Sequence, residues 1–225
     1  KFLFYRLVSS EFINLVNSST YGTKMPRASW DFIGNLPIEY SDSQTQKAIE
    51  EHLDQKTNQI DDLIAKKERM IELLKEERAA VINHAVTRGL DPKVELQNTG
   101  IEWLGKIPKH WKLKKLKYVG EAIIGLTYSP DEVSPEGTLV LRSSNIQGGK
   151  IAFDDNVYVN KKIPGKLIVK REDILVCSRN GSRALIGKCA LLDERCEGQS
   201  FGVFMTIFRS KFNRFVYHIF NSTIF

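Results

Sequence analysis

The sequence is poor in cysteine and contains no long hydrophobic run. Its three cysteines, Cys177, Cys189 and Cys196, are odd in number and include no CxxC pair. A disulfide framework and a zinc site are therefore both disfavoured, and reduced core thiols are expected. No apolar stretch approaches the roughly 20 residues of a membrane span, and segment 1–7 is too short for a signal peptide. These absences predict a cytoplasmic protein.

Sequence motifs of catalysis are also missing. An adenine methyltransferase would carry Asn-Pro-Pro followed by an aromatic residue, and an NTP-driven motor would carry Gly-x-x-x-x-Gly-Lys-Ser/Thr; neither string occurs. Asp91-Pro92-Lys93 has the acidic-x-Lys form of many nucleases, but no second carboxylate pairs with it at the usual spacing. His52 and His84 have no ligand residue at i+4. No catalytic site emerges from these residues, and no metal or cofactor is expected.

The clearest pattern that is present predicts one long helix. Ser43 followed by Gln46 is a capping box that marks the start, and Arg88-Gly89 supplies a cation and a C′ glycine at the end. Apolar residues recur at alternating steps of four and three, which predicts a coiled-coil-type seam. The seam residues are Ile49, Leu53, Ile60, Leu63, Met70, Leu74 and Val81. About 43 helical residues make a rod of roughly 65 Å, which needs a second helix or a domain beside it.

Charge is distributed unevenly along the chain. Residues 41–88 carry eight Lys and Arg against ten Asp and Glu, a net charge of −2. Residues 91–225 carry 21 against 14, a net charge of +7. A basic domain beside a mixed-charge spacer is typical of proteins that bind the phosphate backbone of nucleic acids, although many basic domains bind none.

A block of aromatic and turn residues follows the helix. It contains Trp103, Pro108 and Trp111 and leads into a cluster of lysines, which are Lys112, Lys114, Lys115 and Lys117. Composition alone leaves two interpretations open. The tryptophans can anchor a core beneath a solvated lysine face, or the block can form a nucleic-acid surface.

The remaining residues predict a mixture of α and β structure. A short helix near 112–120 precedes strand-like apolar runs that are separated by Gly, Pro, Asn and Ser clusters. The runs cover 138–142, 150–159, 173–178, 186–192 and 201–208. Two polar loops, 142–150 and 178–183, carry Arg, Asn, Gln and Ser, which can hydrogen-bond to base edges. Ordinary turn chemistry explains the same residues, because Asn-Gly and Gly-Gly are hairpin signals.

Four segments together carry a family resemblance. They are Gln46 to Asp54, Ile60 to Ile64, Ala85 to Gly89 and, most specifically, Trp103-Leu104-Gly105 through His110-Trp111. With these segments the chain resembles, along its whole length, the specificity (S) subunit of Type I restriction-modification systems. The resemblance implies a non-catalytic subunit that reads a bipartite DNA target and docks methyltransferase subunits and, through them, the restriction subunit. The alternative is a coiled-coil assembly protein whose basic domain does not read DNA sequence.

The resemblance also implies a domain organisation. The expected fold is α+β, with a mixed α/β target recognition domain joined to one long coiled-coil-type spacer helix. Residues 1–40 would be the C-terminal part of a first recognition domain, 41–88 the spacer helix for methyltransferase docking, and 89–225 a second recognition domain truncated at its C-terminal end. Residues 1–12 align with 214–225 at an offset of 213, with three identities. Within a family built from two repeats, this alignment predicts one permuted repeat and a homodimer with antiparallel helices.

Within this hypothesis we assign roles to the polar residues. Point-charge lysines position the backbone, so Lys112, Lys114, Lys115 and Lys117 are expected to hold phosphates. Side chains that offer paired hydrogen bonds are expected to include the base readers. These are Arg142, Asn145 and Gln147 in the first loop, and Arg179, Asn180 and Arg183 in the second. Ser143 and Ser178, in the same loops, are also expected to contact DNA. Lys24 and Arg27, near the Gly22 to Pro26 loop, are predicted to join the same DNA-facing surface.

Overall fold

The computed structural model describes every residue from 1 to 225. It divides into two compact units, residues 1–73 (unit 1) and 74–225 (unit 2), and the boundary lies within one long helix. Unit 1 is helical, and unit 2 contains all of the β-strands. The α+β fold class predicted from the sequence is therefore confirmed.

Unit 1 consists of three short helices and the N-terminal part of the long one. They are α1 (Phe2–Leu7), α2 (Ser10–Ser18), α3 (Trp30–Ile33) and α4 (Ser43–Arg88). The hydroxyl of Ser9 accepts a hydrogen bond from the Phe12 amide at the start of α2, and Ser29 caps α3 in the same way. No residue of unit 1 is buried. Unit 1 therefore has no hydrophobic core of its own.

Polar contacts attach α1 to the first turns of α4. The Asp54 carboxylate accepts hydrogen bonds from Lys1 Nζ and from the Tyr5 hydroxyl, each at 2.6 Å. The Phe2 amide donates to Glu50 Oε1, also at 2.6 Å. The hydrogen bond from Lys1, followed by that from Tyr5, lowers the pKa of Asp54. Hydrogen bonds and ion pairs therefore join α1 to α4.

The start of α4 corrects one sequence prediction. Ser43 is the first helical residue, and the cap is Asp42, whose carboxylate accepts from the amides of Gln44 and Thr45 at 3.0 and 2.9 Å. Asp42 and Ser43 are adjacent and both suit the N-cap position, so local composition did not distinguish them. The predicted end is confirmed, because α4 stops at Arg88 and Gly89 has a φ of +78°.

Unit 2 contains twelve short strands and one further helix. The strands are β1 (Leu96–Asn98), β2 (Lys106–Pro108), β3 (Glu121–Ile124), β4 (Val133–Ser134), β5 (Thr138–Leu141), β6 (Ile146–Gln147), β7 (Lys150–Ile151), β8 (Tyr158–Val159), β9 (Ile174–Cys177), β10 (Cys189–Leu191), β11 (Ser200–Phe201) and β12 (Met205–Arg209), and the helix is α5 (Asn213–Phe220). One sheet has the order β10-β9-β12-β3, and a second has the order β11-β5-β8-β4. Two antiparallel pairs, β1-β2 and β6-β7, stand apart from them.

The main core of unit 2 is formed by side chains from both four-stranded sheets. Leu141, Leu175, Phe201 and Ile207 are completely buried within it. Burial of each such side chain stabilises the fold by roughly 1.5–3 kcal/mol. One ion pair is partly buried: the carboxylate of Asp173, which is almost inaccessible, accepts two hydrogen bonds from the guanidinium of Arg209, which is partly exposed. Unit 2 thus has the core that unit 1 lacks.

The last turns of α4 belong to unit 2 and pack beside α5. The Asn83 side chain hydrogen-bonds to the hydroxyl and to the amide of Thr223, both at 2.8 Å. Trp111 meets Phe215 edge to face, with 6.5 Å between the ring centroids. Trp103, by contrast, is exposed. Of the two tryptophans considered as core anchors, Trp111 is partly buried and Trp103 is not.

The strand prediction for the C-terminal half is largely confirmed, with two corrections. All five apolar runs contain strands, but β1, β2, β3, β4 and β6 were not predicted. The helix expected near 112–120 is a single 3-10 turn, Leu116–Tyr118. The two segments aligned at the chain ends are both helical over part of their length, since α1 corresponds to residues 215–220 of α5, whereas residues 10–12 begin α2 and residues 223–225 are not helical.

Candidate nucleic-acid interface

The two polar loops singled out from the sequence meet in unit 2. The Asn180 side-chain amide donates to Ser143 Oγ at 3.1 Å, and Lys188 Nζ donates to the Ser143 carbonyl at 3.2 Å. A cleft of about 910 Å³ lies where the loops converge. Arg142, Ser143, Arg179 and Asn180 all line it. Three of the six predicted base readers, together with Ser143, therefore share one concave surface, which we name the loop cleft.

Arg142 is only partly available within the loop cleft. Its Nη2 donates to Asp155 Oδ1 at 2.7 Å, and the side chain is about one-third exposed. Its Nε is buried and has no hydrogen-bond partner in the structure. Asp155 thus holds the guanidinium at one edge of the cleft. A ligand would have to use the remaining donors or displace Asp155.

Asn145 does not fit the role predicted for it. The residue is completely buried, and its side-chain amide donates to the carbonyls of Ala152 and Asp155. Its Oδ1 accepts from the Arg142 amide at 2.9 Å. With its donors and acceptor engaged inside the fold, Asn145 stabilises the first loop and does not reach a base.

Gln147 is exposed but lies outside the loop cleft. It ends β6, and the following turn is made by Gly148 and Gly149, with φ of +57° and +77°. The Tyr217 hydroxyl donates to the Gly149 carbonyl at 2.8 Å, which ties this hairpin to α5. Gln147 is therefore presented on a separate, firmly held hairpin.

The second loop carries two free cations. Arg179 and Arg183 are exposed and form no ion pair. Ser178 is also exposed, but its hydroxyl donates to the Phe204 carbonyl at 3.1 Å and accepts from the Thr206 hydroxyl at 2.9 Å. Arg183 does not line the loop cleft. The loop therefore offers Arg179 and Asn180 to the cleft and Arg183 to its surroundings.

The four predicted phosphate-binding lysines lie on one exposed segment. Lys112, Lys114, Lys115 and Lys117 form no salt bridge, and none lines the loop cleft. Lys117 Nζ lies over its neighbour's ring, 5.1 Å from the Tyr118 centroid. These lysines are accessible to a phosphate backbone, and their role stays a prediction.

Lys24 and Arg27 lie in unit 1, in a tight loop. Backbone hydrogen bonds of 3.0 Å in both directions join Tyr21 and Arg27 and close this loop. Both cationic side chains are exposed. The structure describes the loop within unit 1 alone, so the common DNA-facing surface stays a prediction.

The apolar seam of α4 is largely exposed. Ile60, Leu63 and Met70 are each more than half exposed, and Leu53 is the one seam residue that is partly buried. Every residue from 58 to 78 is exposed. An apolar seam that the chain does not cover is typical of a helix that packs against a partner.

Sequence reasoning missed several residues of the loop cleft. Tyr128, Asp155 and Phe204 line it together with the predicted readers. They come from three separate segments that only the tertiary fold brings together. Phe204 is 63% exposed, and no periodicity or turn signal distinguishes such a residue from a core aromatic.

Comparisons with known proteins bear on these assignments. The chain matches no protein-family model. It is 27% identical over 201 residues to the Type I restriction enzyme MjaVIII specificity subunit of Methanocaldococcus jannaschii, which covers 86% of this chain and 45% of that protein. It is 30% identical over 131 residues to the EcoKI specificity subunit of Escherichia coli K12, which covers 54% of this chain and 28% of that protein. The resemblance to Type I specificity subunits is confirmed. The chain spans less than half the length of these relatives.

Solved structures support the same fold. One chain, from a structure described as "Structural basis underlying complex assembly and conformational transition of the type I R-M system", superposes with a TM-score of 0.67. The match covers 98% of this chain and 52% of that chain, at 15% sequence identity.

None of the helices combines the length and the apolar character needed to cross a membrane. No cluster of three or more His, Cys, Asp or Glu side chains has an arrangement suited to a metal ion.

Proposed function

We propose that this chain reads DNA sequence as part of a Type I restriction-modification complex and carries out no chemistry itself. The observation that carries the proposal is the convergence of the two polar loops at the loop cleft, where Arg142, Arg179 and Asn180 can contact one ligand. Arg and Asn are side chains that pair with guanine and adenine edges in the major groove. The similarity to named specificity subunits supports the same role.

Cationic side chains without salt bridges would supply the part of the affinity for DNA that does not depend on the DNA sequence. Lys112, Lys114, Lys115 and Lys117 are exposed and free of salt bridges, and Arg183 extends the positive charge beyond the cleft. Each phosphate neutralised by such a side chain releases a counterion, so binding should weaken steeply with salt. In this proposal the lysines hold the backbone while the cleft reads the bases.

The exposed seam of α4 would dock the partner subunits. Methyltransferase subunits, and through them a restriction subunit, are the partners that a specificity subunit would position. The uncovered side chains of Leu63 and Met70 support such a contact, because a soluble chain rarely leaves a long apolar stripe unpaired.

A homodimer with antiparallel α4 helices is the assembly that we propose for this chain. Unit 1 has no buried residue, and α1 corresponds in sequence to part of α5. In a two-fold dimer, residues 1–40 of each copy would complete the recognition domain begun by residues 89–225 of the other. Two identical readers would then favour an interrupted palindrome as the target.

Selection from a random duplex library tests the proposal. Duplexes recovered by the chain should share a sequence and should bind at least about 1,000-fold more tightly than unrelated duplexes at the same salt concentration. Arg179→Ala should alter the selected sequence, and Arg179→Lys should also alter it, because lysine keeps the charge but loses the paired donors. Equal binding of all duplexes, with salt dependence alone, would favour the alternative of an assembly protein with a basic domain.

A further inference from the structure

Phe204 is an exposed aromatic residue in the middle of the candidate reading surface. It lies in the tight turn between β11 and β12, and 63% of it is exposed. It lines the loop cleft beside Arg179 and Asn180. Its neighbours Phe201 and Met205 are almost completely buried. The one large apolar side chain that this turn exposes therefore faces the same space as the candidate base readers.

The backbone of Phe204 is held in place from two sides. Its carbonyl accepts hydrogen bonds from the amides of Ser178 and Arg179, at 3.1 and 3.0 Å, and from the Ser178 hydroxyl. The turn itself is closed by a bond of 2.8 Å from the Met205 amide to the Gly202 carbonyl. None of these bonds uses the side chain of Phe204. The ring is thus presented from a rigid position, and its replacement leaves the supporting hydrogen bonds intact.

A close approach of two backbones fixes the floor beneath this turn. A Cβ at Gly125 would lie 2.2 Å from the Gly202 carbonyl oxygen, so only glycine fits there. The Gly125 amide donates to the Met205 carbonyl at 3.1 Å, and the Val203 amide donates to the Leu126 carbonyl at 2.9 Å. Gly125 and Leu126 therefore hold the turn by backbone hydrogen bonds, in addition to those from the second loop. Because backbone hydrogen bonds fix the position of Phe204, its exposed side chain is preorganised for a ligand.

We propose that Phe204 is a specificity-determining residue that contacts the 5-methyl group of a thymine in the DNA target. The proposal rests on the DNA-reading function proposed above. Thymine is the base that presents an apolar group in the major groove, next to its O4 acceptor. Phe204 offers apolar surface next to the donors of Arg179 and Asn180, which matches that arrangement. Because the ring lies within a cleft, it is suited to receive a base edge and not to wedge between stacked bases.

Methyl deletion in the DNA tests the contact directly. A duplex selected by the wild-type chain is resynthesised with deoxyuridine in place of thymidine, one position at a time. At one position the wild-type chain should lose about three- to fivefold in affinity, the effect of removing one buried methyl group. Phe204→Ala should bind the parent duplex more weakly and should show no further loss on the deoxyuridine duplex. Phe204→Leu should retain part of the methyl effect.

Phe212→Ala serves as the matched control. Phe212 is also an exposed phenylalanine of unit 2, at 52%, but it does not line the loop cleft. This variant should respond to methyl deletion as the wild-type chain does. Thermal unfolding of each variant checks that the fold is unchanged.

Two results would overturn the inference while leaving the proposed function intact. One is selective binding by the wild-type chain that is indifferent to deoxyuridine at every position. The other is an equal methyl effect in the wild-type chain and in Phe204→Ala and Phe204→Leu. A wild-type chain that selects no sequence at all would overturn the proposed function, and this inference with it.

Discussion

Replacement of Leu63 by Asp tests the proposed pairing of α4. In the single chain Leu63 is 55% exposed, so the substitution should change the stability of an isolated chain very little. In a dimer with a buried seam, the substitution removes about 1 kcal/mol of stabilisation from apolar burial in each chain. It also adds a cost of several kcal/mol for burying an unpaired carboxylate. A two-fold dimer contains the change twice, so a loss of about 2 kcal/mol for each chain already weakens dimerisation by roughly 1,000-fold. Sedimentation across a concentration series measures this shift.

Asn58→Asp is the control for that experiment. Asn58 is exposed, and its position along α4 places it on the face away from Leu63. It introduces the same negative charge without entering the seam, so the dimer should persist. If Leu63→Asp sediments as the wild-type chain does and still binds a methyltransferase subunit, the seam is exposed in the assembly and the pairing argument fails.

Three further predictions concern unit 2. Lys114→Ala should weaken binding to all duplexes alike and reduce the salt slope by about one, whereas a changed sequence preference would contradict its phosphate role. Asp173→Ala should lower the free energy of unfolding by about 3 kcal/mol in urea titrations, because it leaves the partly buried Arg209 without its partner; a change below about 1 kcal/mol would refute that account. Burial raises the pKa of the Cys189 and Cys196 thiols to about 11. Alkylation of the native chain at pH 8 should therefore be slow and should accelerate on unfolding, and rapid native labelling of either thiol would show that it is accessible.

Local signals determined the boundaries of α4 closely. The end of α4 follows from Arg88 and Gly89, because a cation and a left-handed glycine stop a helix through contacts within one turn. The start was predicted at the correct residue but with the wrong cap. Asp42 and Ser43 are neighbours that can each accept the orphan amides, and side-chain geometry decided between them.

The candidate site was predicted in part. The loops 142–150 and 178–183 were identified by composition, and the structure brings Arg142, Arg179 and Asn180 together. Asn145 was predicted as a reader because its residue type and loop position fit that role. Its burial depends on carbonyls at 152 and 155, which become neighbours only when the first loop folds back on itself. Polarity in a loop therefore predicts hydrogen bonding but not whether the partner is protein or ligand.

The sequence by itself determined the elements whose causes are local. These are the long helix with its one-sided seam and the strand runs of the C-terminal half. The resemblance to Type I specificity subunits was also visible in the sequence. The tertiary structure alone decided which side chains share the loop cleft. Phe204 and Tyr128 reach it because backbone hydrogen bonds join residues 125–126 to residues 201–205. Such contacts join residues about 75 positions apart, and their formation depends on the packing of the whole core and not on any signal within one segment.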